Sequence, residues 1–560
     1  MFKGHPKGLF VAFFANMGER FGFYTMIAIF TLFMQAKYGM SPEAVTRFYS
    51  LFMVGIYIFP LLGGFLADRF LGYGRTIGLG IVVMFVGYVM LALPTTMNSG
   101  MPLIVAALVV IALGTGLFKG NLQALVGNLY DDPKYASMRD RAFNIFYMGI
   151  NVGAMFAPSA SKAISGFILK QSGFSYEKNI PALANEFLRG ISDRASSLLS
   201  YAQAQDPSVT METLKTFSER YINVLSKSYH LGFGVACLSL IISMVVFLAF
   251  RKHYRAADMT ERQKARSETL RAQVVELPRE ETRERLVALG LIFAVVIFFW
   301  MAFHQSAATL TIFARDYTLS SVGKATYLWF DLAGLLSIFL SILGLVFLVK
   351  KSSNGLARIL GGLAFTGFGV LAYVRYSGYK AMNDFQPQMF QHFNPFFIVA
   401  LTPLIIGIFA WLNRKGKEPS APRKIGIGML ITAVAYAILV IGSFGLTSPK
   451  VLGGLVAPQD SQVSVYWLIS TYFMLTIAEL FLSPIGISFV SKVAPPKYKG
   501  LMQGGWFAAT AAGNYLVSII GWFWMRVPVW AVWAILAGAC VLSAAFIFAI
   551  MKRLEKVAKA

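Results

Sequence analysis

The chain has 560 residues, of which 57% are hydrophobic, 15% aromatic and only 14% charged. A soluble domain carries about 25% charged residues, so a chain this long and this poor in charge cannot clothe a water-facing surface. Soluble enzymes, fibrous proteins and disordered scaffolds are excluded, which leaves a polytopic helical membrane protein.

The N-terminal stretch MFKGHPKGLFVAFFANMGERFGFY starts basic and turns apolar, as a signal peptide does. The apolar run continues past Glu19 and Arg20 to about Met34 without a small-residue cleavage site, so it reads as a retained first span. Spans need about 20 apolar residues. In chain order they fall near 8–36, 46–68, 75–95, 101–126, 142–170 and 223–250, then near 286–314, 325–349, 355–376, 393–413, 425–446, 464–491, 500–523 and 529–551, fourteen in all. Residues 173–222 are polar, mostly helical in pattern, and read as an extracytoplasmic surface cap. Residues 251–285, with RKHYRAADMTERQKARSETLRAQ, read as a charged cytoplasmic linker helix or helix pair. The expected plan is an N-terminal six-helix bundle over 1–250, the linker, and a second bundle over 286–560 with an extra helix pair at about 325–376. Transporters built from two repeats place the substrate near the bilayer midplane between them.

The net charge of +24 comes from 50 Lys and Arg against 26 Asp and Glu. Most of these cations, among them Arg251, Lys252, Arg255, Lys350, Lys351, Arg414, Lys415 and Lys552, fall in segments that alternate to the side of the N-terminus. Both termini are therefore expected in the cytoplasm, and the positive charge requires no nucleic acid; with no organellar targeting signal, a bacterial inner membrane is the expected location. Cys237 and Cys540 lie inside apolar runs and define neither a disulfide framework nor a metal site. No phosphate-binding loop, metal-spaced histidine cluster or nucleophile elbow occurs, so an enzyme and a bound cofactor are not expected; GTGLFKGN lacks the Walker spacing.

Charges inside spans cost about 2.5–3.5 kcal/mol each at the centre on insertion scales and mark functional positions. Glu19 and Arg20 interrupt the first span, Lys119 lies in the fourth, His304 follows Trp300 in the seventh, and Glu479 lies in the twelfth. A structural ion pair is the bland explanation for any one of them. Taken together, cations and anions split between the halves suit a zwitterion, its carboxylate held by the cations and its ammonium by Glu479. Phe23, Tyr24, Tyr57, Trp300 and Trp506 add shape, although aromatics in membranes more often serve packing. In GGFLADRFLGYGR, Gly63, Gly64 and Gly72 allow close helix approach, and Asp68 can pair with Arg69 or Arg75 at a gate hinge.

That loop resembles the motif of the major facilitator superfamily. Four further stretches resemble the proton-coupled oligopeptide transporter (POT) family: FYMGINVGA at 146–154 matches FYxxINxG[SA], GERFGFY resembles the end of ExxERFxYYG, HFNPFFI at 392–398 resembles NPxFI, and TIAELFLSPIGISFVSKVAPPKYKGLMQGGWF at 476–507 is close to the stretch around the family's glutamate. The resemblance implies a major facilitator fold and proton-coupled symport of di- and tripeptides by alternating access. It implies that Arg20, Lys119 and Asn151 engage the peptide carboxylate, that Glu479 and Asn394 receive its amino terminus, that Tyr24 and Tyr57 line the pocket, and that Trp300 and Trp506 shape side-chain subsites. Lys119 with Glu479 would form the inner gate. Departures concentrate in the coupling machinery. Asn16 stands where the family has Glu, Ile27 where it has Arg, and Gly120 where it has Pro; His304 replaces an acidic residue. Proton coupling is then expected from Glu19, His304 and Glu479, imidazole titrating at about 6.5 when unperturbed. An uncoupled facilitator or exchanger of peptides or another small solute is the alternative on the same fold. A nutrient receptor, with 173–222 or the extra helices docking a protein, is the alternative from another class.

Overall fold

The structure, a computed structural model, describes residues 4–96, 99–136, 138–259, 277–350, 354–495 and 498–559. Long helices dominate it: α1 Lys7–Tyr38, α2 Pro42–Leu66, α3 Tyr73–Ala92, α4 Met101–Asn128, α5 Arg139–Gln171 and α6 Leu214–Ala249, then α7 Arg279–Phe303, α8 Leu332–Val349, α9 Gly355–Ser377, α10 Phe393–Arg414, α11 Ala421–Gly442, α12 Val465–Val493, α13 Lys499–Trp524 and α14 Val529–Ala549. Twelve of these are long and apolar enough to cross a membrane. The other two, α1 with 32 residues and α13 with 26, have spanning length at 1.5 Å per residue but a more polar composition. The fourteen expected spans thus correspond to fourteen long helices among the described residues.

Local chemistry sets the ends. Gly39 adopts φ +56 and its N–H closes α1 on the Gln35 carbonyl, a left-handed cap that a side chain would strain. Ser41 then opens α2, its Oγ accepting from the Ala44 N–H, with Pro42 in the first turn. Between helices, small residues permit contact where lipid offers no hydrophobic drive: a Cβ on Gly80 of α3 would lie 2.8 Å from the Gly114 carbonyl of α4.

Buried apolar side chains gather in two main clusters. One is built almost wholly from residues 9–257, the other mostly from residues 288–557. Within the first, α1 packs on α5 and α6, and α4 on α2 and α3; within the second, α11 packs on α12 and α14, and α7 on α13. The two halves meet chiefly where α2 lies on α13 and α5 on α10. Polar bonds between the halves concentrate at the end away from the termini. Arg315 Nη1 donates to Gln35 Oε1 at 2.7 Å, Arg526 Nη1 pairs with Glu43 Oε2 at 2.8 Å, and Gln391 Nε2 reaches the Ala28 carbonyl at 3.5 Å.

Several elements differ from the sequence expectation. The seventh span is not one helix: α7 ends at Phe303, His304–Ala307 forms a 3-10 turn, and a second helix runs Thr309–Asp316. In the linker, 251–257 forms two short 3-10 turns, residues 279–285 already belong to α7, and 260–276 lie outside the described residues. The extra pair starts at Leu332, because the preceding residues form strand β1, Ser321–Gly323, and a short helix, Lys324–Tyr327. Strand β2, Met382–Asp384, pairs antiparallel with β1 and clips the base of the pair. Residues 214–222 of the expected cap are the first turns of α6. In the GGFLADRFLGYGR loop, Asp68 accepts from the Tyr73 hydroxyl at 3.0 Å, and Arg69 stacks on Phe65 at 4.7 Å; the expected partner of Asp68 was an arginine.

Candidate functional site

The break after α7 organises the centre of the molecule. Ala308, at φ −118 and ψ −108, leaves helical geometry and strips neighbouring carbonyls of their helical partners. Away from water such groups must be satisfied by protein. Tyr436 Oη donates to the Ala302 carbonyl at 2.5 Å and Tyr472 Oη to that of Ser306 at 3.1 Å. Thr31 Oγ1, from α1 in the other half, donates to that of Ala307 at 2.6 Å. Gln305 is fixed by its own turn, Nε2 on the Met301 carbonyl and Oε1 accepting from Thr309 Oγ1. The result is that His304 is presented at the break, its ring stacked on Trp300 with centroids 5.0 Å apart and 6.0 Å from the ring of Tyr57 on α2.

Around it lie the charged candidates. On α1, Glu19 and Arg20 are both buried, and the guanidinium donates to both carboxylate oxygens at 2.5 Å while lying 4.6 Å from the Phe23 ring. The Lys119 ammonium of α4 sits 4.0 Å from the centre of the Tyr57 ring and 5.8 Å from that of Phe507. Glu479 of α12 is held by neutral donors from two other helices: Tyr147 Oη of α5 on Oε1 at 3.0 Å and Asn394 Nδ2 of α10 on Oε2 at 2.9 Å. Asn394 also reaches Thr476 Oγ1 at 3.1 Å. Asn151, one turn beyond Tyr147, is buried and donates to the Tyr147 carbonyl at 3.1 Å. Tyr57 stands between Lys119 of its own half and His304 of the other, and the Tyr147–Glu479 bond likewise crosses the seam, so polar and charged groups of both halves meet here.

Most of the residues singled out from sequence therefore converge: Glu19, Arg20, Tyr24, Tyr57, Lys119, Asn151, Trp300, His304, Asn394 and Glu479. Trp506 is placed differently, buried against Gly486 of α12, where a Cβ would collide with its indole. Lys119 and Glu479 have different partners in this conformation, an aromatic face for the cation and two neutral donors for the carboxylate. Two residues were missed. Tyr147 lies in the FYMGINVGA stretch four residues before Asn151, a spacing that puts both on one helix face. Phe507 adjoins Trp506 and offered no separate signal.

The fourteen long helices among the described residues, twelve of them apolar enough to span a membrane, pack as two halves with buried charges between them, the architecture of a helical membrane transporter. The sequence profile of the POT family matches residues 74–275 and 379–529, and the chain belongs to that family. The chain is similar, at 26% identity over 94% of its length and 90% of the relative's, to an uncharacterised transporter of Bacillus subtilis. It is similar at 26% identity to a peptide transporter of Yersinia enterocolitica, covering 93% of this chain and 88% of that one. A di-/tripeptide transporter of Lactococcus lactis matches at 24% identity over 92% of this chain and 88% of its own. Among solved structures, a peptide transporter crystallised with alafosfalin shares the fold with a TM-score of 0.65 and 22% identity, over 100% of this chain and 96% of that chain. A POT family transporter bound to 5-aminolevulinic acid gives 0.67 at 19% identity, over 99% and 98%.

Proposed function

We propose that this transporter carries di- and tripeptides into the cell together with protons, by alternating access, in a bacterial inner membrane with both termini in the cytoplasm. The observation that carries this reading is the contrast between two buried carboxylates. Glu19 is locked onto Arg20, whereas Glu479 has only neutral partners and is free to accept a peptide ammonium or a proton. Arg20, Lys119 and Asn151 supply the complementary side for the peptide carboxylate, Asn394 helps hold the amino terminus, and Tyr24, Tyr57 and Trp300 shape the walls, with Trp506 packed behind them against Gly486. Glu19, released when Arg20 turns to the peptide carboxylate, joins His304 and Glu479 in handling the proton, and Lys119 pairs with Glu479 when the inner gate closes. The two bundles, 1–250 and 286–560, rock about the chamber. The polar bonds away from the termini support a state closed on the outside and open toward the cytoplasm.

Relatives named as peptide transporters support the substrate class. An uncoupled facilitator is favoured by one feature: Asn16 is buried, and its Nδ2 has no hydrogen-bond partner among the described residues. An amide there cannot carry the proton that a carboxylate would.

Binding tests the substrate reading. Dialanine added to the detergent-purified protein should raise its thermal midpoint with rising concentration, as ligand bound only to the folded state must. Glu479→Gln and Lys119→Met should each lose most of that shift. No shift in the wild type at any dialanine concentration would sink the peptide assignment and leave the fold standing.

A further inference from the structure

The polar segment between α5 and α6 has a place in the structure that neither the transport chamber nor a surface-cap role explains. It contains two short helices, Ile180–Leu188 and Ala195–Gln205. Its attachment to the first half is firm. The last carbonyls of a helix lack internal partners, and here the segment supplies them: Asn185 Nδ2 donates to the Ala36 carbonyl at 2.8 Å, and Arg189 Nη2 to those of Tyr38 and Gly39 at 2.7 and 3.1 Å. Tyr221 Oη at the start of α6 donates to the Ser175 carbonyl and accepts from the Glu177 N–H. Leu183, Leu198 and Ala202 are buried in the first-half cluster.

Its contacts to the second half are of another kind. Lys178 Nζ donates to the Thr318 carbonyl at 3.3 Å and to Gln462 Oε1 at 3.2 Å, and Arg194 Nη1 donates to the Leu452 carbonyl at 3.2 Å. Both cations thus end on carbonyl oxygens of the opposite half, with no apposed carboxylate in these bonds. The targets are themselves rigid. The Leu319 N–H bonds to the Val463 carbonyl, the Val463 N–H to that of Tyr317, and Gln462 Nε2 to that of Ala457. Gly453, at φ +60, lets Arg194 approach; a Cβ there would lie 2.9 Å from its guanidinium. Beneath these contacts the seam is not packed shut. A cavity of about 240 Å³ lies there, lined by residues of both halves, among them Gln35, Tyr176, Arg315 and Gly454.

We propose that residues 173–213 form a clasp over the outer gate: fixed to the first half, and closing on the second through Lys178 and Arg194. The geometry separates a permanent anchor from a releasable grip. Releasing the grip breaks three hydrogen bonds of 3.2–3.3 Å and draws Lys178 away from the Asp316 carboxylate that attracts it across the seam. Burial pushes the Lys178 ammonium down to about 8 against the pull of Asp316 and Glu177, so taking it out of water offsets part of what its two bonds and these carboxylates contribute. A contact so balanced holds the outer side closed yet lets it open in each cycle. The proposal rests on the alternating-access reading above but not on the identity of the substrate.

The test is conformational and needs no peptide. Spin labels at Met211→Cys in the clasp and Asp460→Cys in the second half, both exposed, are placed in full-length protein with Cys237 and Cys540 replaced by alanine. Double electron–electron resonance then reads the gap. In Lys178→Met/Arg194→Met the long-distance, outward-open fraction should rise at least threefold over the parent, while Lys178→Arg/Arg194→Lys keeps the parent distribution. An unchanged distribution in a folded double methionine variant overturns the clasp. Should the double variant fail to fold, each single methionine variant is expected to shift part of the way, and no shift in either overturns it. Failure of dialanine to bind would count against the peptide reading and leave this result intact.

Discussion

Glu479 takes one hydrogen bond from each half, Tyr147 from α5 and Asn394 from α10, so its environment changes when the halves move. A hydrogen bond to a charged group contributes about 1.5–3 kcal/mol. Tyr147→Phe removes one while keeping the ring, and dialanine affinity measured by calorimetry should fall about tenfold; unchanged affinity would show that Tyr147 only packs. His304 is the second residue whose loss is diagnostic. His304→Ala is expected to abolish gradient-driven accumulation in proteoliposomes and spare peptide exchange, and undiminished accumulation would remove it from the proton path. At this scale the charged residues were legible as candidates, because an ionisable group inside a span is too costly to be casual. Tyr147 was not, since a neutral aromatic in a span looks like any packing residue. Nor was the locking of Arg20 onto Glu19 legible: sequence neighbours on a helix do not face each other, and the long arginine side chain has to fold back to make that pair.

The helices themselves announce their presence through length, since each must cross about 30 Å of hydrocarbon. What interrupts them does not. WMAFHQSAATL carries neither Gly nor Pro, so nothing in it foretells a break at His304. The break is held by partners distant in sequence, Tyr436, Tyr472 and Thr31, which satisfy the carbonyls it frees. Thr31→Val keeps the shape and leaves the Ala307 carbonyl without that donor, which costs about 1–3 kcal/mol. The thermal midpoint in detergent should fall, and Thr31→Ser should restore it; equal midpoints for all three proteins would mean the break does not depend on that bond. Strands β1 and β2 escaped notice for a simpler reason, being three residues each and too short for alternation to register. The start of the extra pair moved to Leu332 for the same cause.

Across the whole molecule, two hydrophobic clusters meet along a seam whose polar bonds lie away from the termini, with a group of buried charged side chains nearer its middle. The division into two halves was foreshadowed by the charge run at 251–285, although residues 260–276 of it lie outside the described residues. Motifs spread over both halves pointed to the family, because those stretches carry the chamber residues and the loops that support them. The insertion's grip on the opposite half left no trace in periodicity or motif, since two of its three bonds end on backbone carbonyls that any sequence possesses and the third on a lone glutamine, Gln462. Gradient-driven transport is the decisive measurement. Labelled dialanine should accumulate above equilibrium in proteoliposomes under an inward proton gradient, and Glu479→Gln should abolish that accumulation. Equilibration without accumulation in the wild type would contradict proton coupling, and no dialanine entry at all would contradict the transport of small peptides.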